Sequence, residues 1–163
     1  MSVVSRVLLT YRSPTKAFEL MYGRPINEPA SLGYLMVACL LTYVAQWPHL
    51  ARQAYLDDFD LQTNLAAGLL AWLLIAPLLL YTLALFVYFF HKVLGGSKSS
   101  AQVRMGLFWS FLAASPLMML LGIVKGFLGS GTPENIVGFV WLVMLFYFIV
   151  SAVTRAKVRG AVR

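Results

Sequence analysis

Charge is scarce in this chain and acid scarcer still: charged residues make up 12% of it, with 6 Asp and Glu against 13 Lys and Arg. A soluble domain carries about a quarter of its residues charged. A chain that is 60% hydrophobic cannot clothe itself in a solvated surface, and no soluble catalytic domain fits beside its apolar runs. Cysteine occurs once, at Cys39, which excludes an intramolecular disulfide and a structural zinc site. Lying in an apolar run, Cys39 reads as a small core residue. Three of the few acids, Asp57, Asp58 and Asp60, stand close enough to gather around a hard cation. The glycine and terminal glutamate of a calcium loop are missing there, so a solvated acidic loop is expected and no metal. GGSKSS at 95–100 lacks the spacing of a phosphate-binding loop and has no strand before it. No residue set demands a reaction, and the chain is expected to be neither an enzyme nor a cofactor carrier.

What is present is apolar length. Residues 65–90, LAAGLLAWLLIAPLLLYTLALFVYFF, hold no charge. As a helix the run is about 39 Å long, beyond the roughly 30 Å hydrocarbon core of a bilayer, so it must tilt, bend or enter the headgroups. Three further runs, at about 30–47, 105–124 and 136–153, are long enough to span. The expected fold is therefore all-α: one membrane domain over 1–163, a polytopic bundle of four transmembrane helices. Before it, residues 1–24 form a broken amphipathic segment. Val3, Val4, Val7, Leu8 and Tyr11 share one helical face, Ser13-Pro14 restarts the helix, and Ala17, Phe18, Met21 and Tyr22 make a second face. The segment either lies in the membrane interface or packs on the bundle as a lid. Arg6 interrupts its apolar stretch, so it is not expected to be a cleaved signal.

The punctuation is explicit. Pro48 is expected to end the first span, leaving 48–64 as a loop that holds His49 and Arg52. Gly95-Gly96-Ser97 reads as a turn, and Ser99 with Gln102 as a capping box. Thr132-Pro133-Glu134 reads as a helix start with Thr132 as cap. Gly122 and Gly126 have the spacing of a small-residue packing face, but their position beside Lys125 favours a helix terminus.

Lys and Arg alternate along the connections as four, one, three, one and four, ending in the basic tail 154–163. Alternate segments hold eleven on one side and two on the other, so both termini and the middle connection are expected in the cytoplasm of a bacterial inner membrane. The net charge of +7 thus belongs to orientation and lipid contact, not to nucleic acid. Arg155, Lys157, Arg159 and Arg163 are candidates for contact with anionic headgroups. Further expected partners are the bilayer itself, other membrane proteins, or a second copy.

The apolar interiors lack ionisable residues: His91, Arg104 and Lys125 all fall at span ends, which argues against a proton pump or voltage sensor. The hydroxyls of Thr42, Tyr81, Thr82, Ser110 and Ser115 are expected to bond to their own or a neighbouring helix. Pro77 and Pro116 lie near the middle of consecutive antiparallel spans, where two bends can open a cleft, and Ser115 is placed to bond a carbonyl that Pro116 frees.

SPTKAF, VAQWPHLAR, LLIAPLLLY and LFWSFLAASPLMMLLGIVKGF together resemble the short bacterial members of the Yip-domain, or Ypt/Rab-interacting-protein, family. The resemblance implies a compact helical membrane bundle with a cytoplasmic N-terminus and no enzyme activity. The DLYGP and GYGxxP motifs of the eukaryotic members are absent, so no small-GTPase partner is carried over. The leading expectation is a non-enzymatic inner-membrane protein that organises membrane or partner proteins. The alternatives are an accessory subunit of a larger respiratory or photosynthetic membrane complex, and a small transporter or channel.

Overall fold

The computed structural model describes residues 2–56 and 60–156. Six helices, and no strand among the described residues, make an all-α bundle. Two are short: α1, Val3–Arg12, and α2, Pro14–Tyr22. Four are long and apolar enough to cross a membrane: α3, Glu28–Leu56; α4, Leu61–Val93; α5, Ser100–Leu128; and α6, Thr132–Arg155. At about 1.5 Å per residue each exceeds the roughly 30 Å hydrocarbon thickness, so their ends reach beyond it or the helices tilt.

The central pair is α3 with α5, α6 packs beside α5, and α4 lies outermost. In α5, 61% of the apolar window is buried inside the protein, against 6% in α4. The core gathers Leu35, Ala38 and Cys39 of α3 with Leu107, Phe108 and Trp109 of α5. Small residues set the closeness of the pair. A Cβ added at Gly122 would fall into the backbone carbonyl of Ala45, and one at Gly126 would meet Pro48. These two glycines are therefore a packing face and not a helix end, since α5 runs on to Leu128.

Pro48 does not end α3 either: the helix continues through it to Leu56, which puts His49 and Arg52 on the helix. The reason is tertiary. The glycine face of α5 accepts the Pro48 turn, and Arg52 Nη1 donates to the carbonyls of Gly126 (3.4 Å) and Phe127 (3.0 Å) at the end of α5. That bond holds the extra turns in register, and a proline is tolerated in a helix whose neighbours supply the packing.

The prolines of α4 and α5 are accommodated differently. Before Pro77 the helix widens into a π turn over Ala71–Ile75, with Ala76 N–H reaching back to the Ala71 carbonyl. The wider turn makes room where the pyrrolidine ring meets the carbonyl four residues back. At Pro116 the carbonyl left without a donor is that of Leu112, and Ser115 Oγ donates to it at 2.8 Å. Pro77 is buried and Pro116 exposed. The remaining interior hydroxyls bond within their own helices: Thr42 to Ala38, Thr82 to Leu78 and Ser110 to Gly106. Tyr81 sets its ring on edge against Phe108 of α5.

Candidate functional site

The polar chemistry of the described residues concentrates at the end of the bundle that carries α1 and α2. Helix α2 buries the expected face, Ala17, Phe18, Met21 and Tyr22. Helix α1 is turned otherwise than its apolar pattern predicts. Val3, Val4 and Leu8 are exposed, Val7 and Tyr11 are half-buried, and the residue packed innermost is Thr10. The cause is a buried donor. Trp109 of α5 is fully enclosed, and its Nε1–H donates to Thr10 Oγ1 at 3.0 Å, while Thr10 donates to the Arg6 carbonyl at 2.8 Å. A buried indole N–H without an acceptor is costly, and Thr10 supplies one. Tyr11 sets its ring edge-on against Phe148 of α6. The segment is thus a lid held on the bundle that turns some apolar residues outward.

A second lock joins the lid to α6. The last four carbonyls of any helix lack intrahelical donors and carry partial negative charge. Here Lys98 Nζ donates to Ala152 (2.7 Å) and Val153 (2.6 Å), and Tyr22 Oη donates to Ala152 (3.2 Å). The Lys98 ammonium also stands 5.5 Å from the centre of the Tyr22 ring, within cation–π range. Lys98 is 4% exposed. Burial lowers its pKa from 10.5 to about 8, and burial likewise raises that of the Tyr22 phenol.

Local sequence puts Lys98 there. Gly95 adopts φ +78° after α4. The bonds Gly95 N to Lys92 O and Gly96 N to His91 O complete a Schellman stop. Gly96 lies flat against the His91 imidazole, where a Cβ has no room. The capping box of Ser99 and Gln102, with both reciprocal bonds made, then starts α5. One lysine is left between two fixed helix ends, pointing at a third. It borders a cavity of about 510 Å³ shared with His91, Gln102 and Thr154. With its protons committed to carbonyls, this amine acts as a clamp.

Two ion pairs between described residues close the ends of the bundle: Arg104 with Glu28 at the lid end, and Lys125 with Glu134 at 2.9 Å at the other. At that far end the α6 cap position is Gly131, with Thr132 already helical. Of the expected lipid-contact residues, Arg155 is exposed at the end of α6, while Lys157, Arg159 and Arg163 lie outside the described residues, as do Asp57 and Asp58. Asp60 caps α4 by accepting from Gln62 N–H. Among the described residues no group of His, Cys, Asp and Glu is placed to hold a metal. Pro77 and Pro116 line none of the cavities described here. Thr10, Tyr22 and Lys98 form the site that sequence reasoning missed. Lys98 counted there only as one of three basic residues in the middle connection.

No family model, no curated protein and no solved structure matches the chain.

Proposed function

We propose that this chain is a non-enzymatic, Yip-like multi-pass protein of a bacterial inner membrane that organises membrane or partner proteins, with both termini and the Lys98 connection in the cytoplasm. The observation that carries this reading is the lid. It is locked to two helices of the bundle, α5 through Thr10 and α6 through Tyr22, yet presents Val3, Val4 and Leu8 outward beside the exposed Arg12. A short helix with outward apolar residues and a basic neighbour suits the headgroup layer or the surface of a partner. The buried Lys98, Thr10 and Trp109 groups are spent on internal bonds, which also favours a scaffold over catalysis.

The test is co-purification in mild detergent from native membranes. A reproducible set of membrane proteins, depleted by Val4→Ser with Leu8→Ser, is the expected result. An identical set from the variant removes the lid from the function. A second reading, the accessory subunit, is supported by α4, whose apolar window is only 6% buried within the chain. Migration on native gels as one discrete large complex favours the subunit, and migration as a monomer or dimer favours the organiser.

A further inference from the structure

Between the lid and the start of α3 lies an open cavity of about 200 Å³. Its walls combine Leu9, Met21, Tyr34 and Met105 with two arginines, Arg6 and Arg24, and no acid is among the lining residues. Neither arginine has an ion-pair partner among the described residues: Glu28 is taken by Arg104. Arg24 is exposed and Arg6 half-buried, so both guanidinium groups can meet a ligand that enters from outside. Unpaired guanidinium groups are suited to phosphate oxygens, and the apolar floor suits hydrocarbon. The three features coincide at the end of the bundle where α3, α5 and the lid meet.

We propose that this cavity binds a single anionic phospholipid, its phosphate held by Arg6 and Arg24 and the first methylenes of its acyl chain lying on Leu9, Met21, Tyr34 and Met105. The assignment rests on the lid end lying at a membrane surface, as in the reading above. It deepens that reading by naming the lipid class the lid recognises. The bound lipid fills the space under the lid and ties α1–α2 to α3, so lid position depends on the charge of the surrounding lipid.

The experiment uses the full chain in nanodiscs containing phosphatidylglycerol and phosphatidylcholine. Both leaflets are present, so the assay is independent of orientation in the cell and of whether partners exist. Native mass spectrometry should show one phosphatidylglycerol retained in preference to phosphatidylcholine. Arg6→Gln with Arg24→Gln should lower that retention about twenty-five-fold, from about fivefold per basic residue held near an anionic surface. Arg12→Gln, on the same helix and outside the cavity, should leave it unchanged. Ala30→Phe keeps both arginines but fills the cavity, and should also lose the lipid if its melting is unaltered. Equal retention in the double variant overturns the proposal. So does an equal loss in Arg12→Gln, which would mark general surface charge. Displacement by millimolar inorganic phosphate would make the site a phosphate site. Loss of a dimer without loss of lipid would place a second copy there. Failure here with intact co-purification would leave the organiser function standing.

Discussion

Lys98 ties the connection between α4 and α5 to the end of α6. Its ammonium caps α6 from another element, and its loss takes a donor from two carbonyls, of which Ala152 keeps Tyr22. Lys98→Met should cost about 2 kcal/mol, the worth of hydrogen bonds to a charged group less the relief of burying it. The pH dependence has a defined sign. Unfolded, the lysine holds its proton to about 10.5; folded, it releases it near 8. Between those values the unfolded chain binds more protons, so stability rises with pH across that window, and the burial penalty is complete below it. The melting temperature of the wild type in detergent should therefore gain on that of Lys98→Met between pH 7.5 and 9.5. Parallel behaviour of the two would deny the buried ammonium. Two glycines make a sharper pair at the same scale. Gly122→Ala forces a methyl into the Ala45 carbonyl and should cost at least about 2 kcal/mol. Gly33→Ala, with open space around it in α3, should be neutral or gain up to about 1 kcal/mol. Chemical denaturation in mixed micelles reads both. The spacing of Gly122 and Gly126 carried the signal for a packing face, which the neighbouring Lys125 outweighed, whereas nothing local to Gly33 tells whether a backbone or a lipid lies against it.

Helices were legible where their signals are local. The capping box at Ser99, the turn at Gly95-Gly96 and the buried face of α2 follow from a few neighbouring residues. What failed needed a distant partner. Pro48 stops a helix only if nothing holds the turns beyond it, and here Arg52 and the α5 glycines do. The rotation of α1 was set by the indole of Trp109, remote in sequence, against the pull of its own apolar stripe. That contest predicts an element-scale outcome. Thr10→Val keeps the shape and removes the acceptor, leaving a buried N–H unpaired at about 1–3 kcal/mol. Since the lid is held by only a few such bonds, the cost should appear as local opening. Hydrogen exchange over 3–22 should accelerate about tenfold or more, with the exchange of α5 little changed. Uniform acceleration across the bundle would mean that the lid and the core open as one unit.

At the scale of the whole molecule, the number of long helices was readable because apolar length is a property of the chain itself, and the four runs became the four long helices. Which helix lies outside was not, since α4 and α5 look equally apolar but bury 6% and 61% of their windows. Orientation rests on the alternation of basic residues, and the fold keeps that alternation intact. Extending α3 to Leu56 moves Arg52 from loop to helix but leaves it at the far end, bonded to the end of α5. Arg104 and Lys98 stay at the lid end. Among the described residues, eight basic side chains at the lid end therefore still stand against two at the far end. Cys39 is fully buried, so a Cys39→Ala background leaves no native thiol to confuse a labelling experiment. Ser97→Cys and Ser130→Cys then place single thiols at exposed positions at opposite ends of the bundle. A membrane-impermeant maleimide added to intact cells should label Ser130→Cys several-fold more than Ser97→Cys, and permeabilisation should equalise them. Labelling of Ser97→Cys in intact cells would invert the orientation and place the lid, with its arginine-lined cavity, against the outer leaflet.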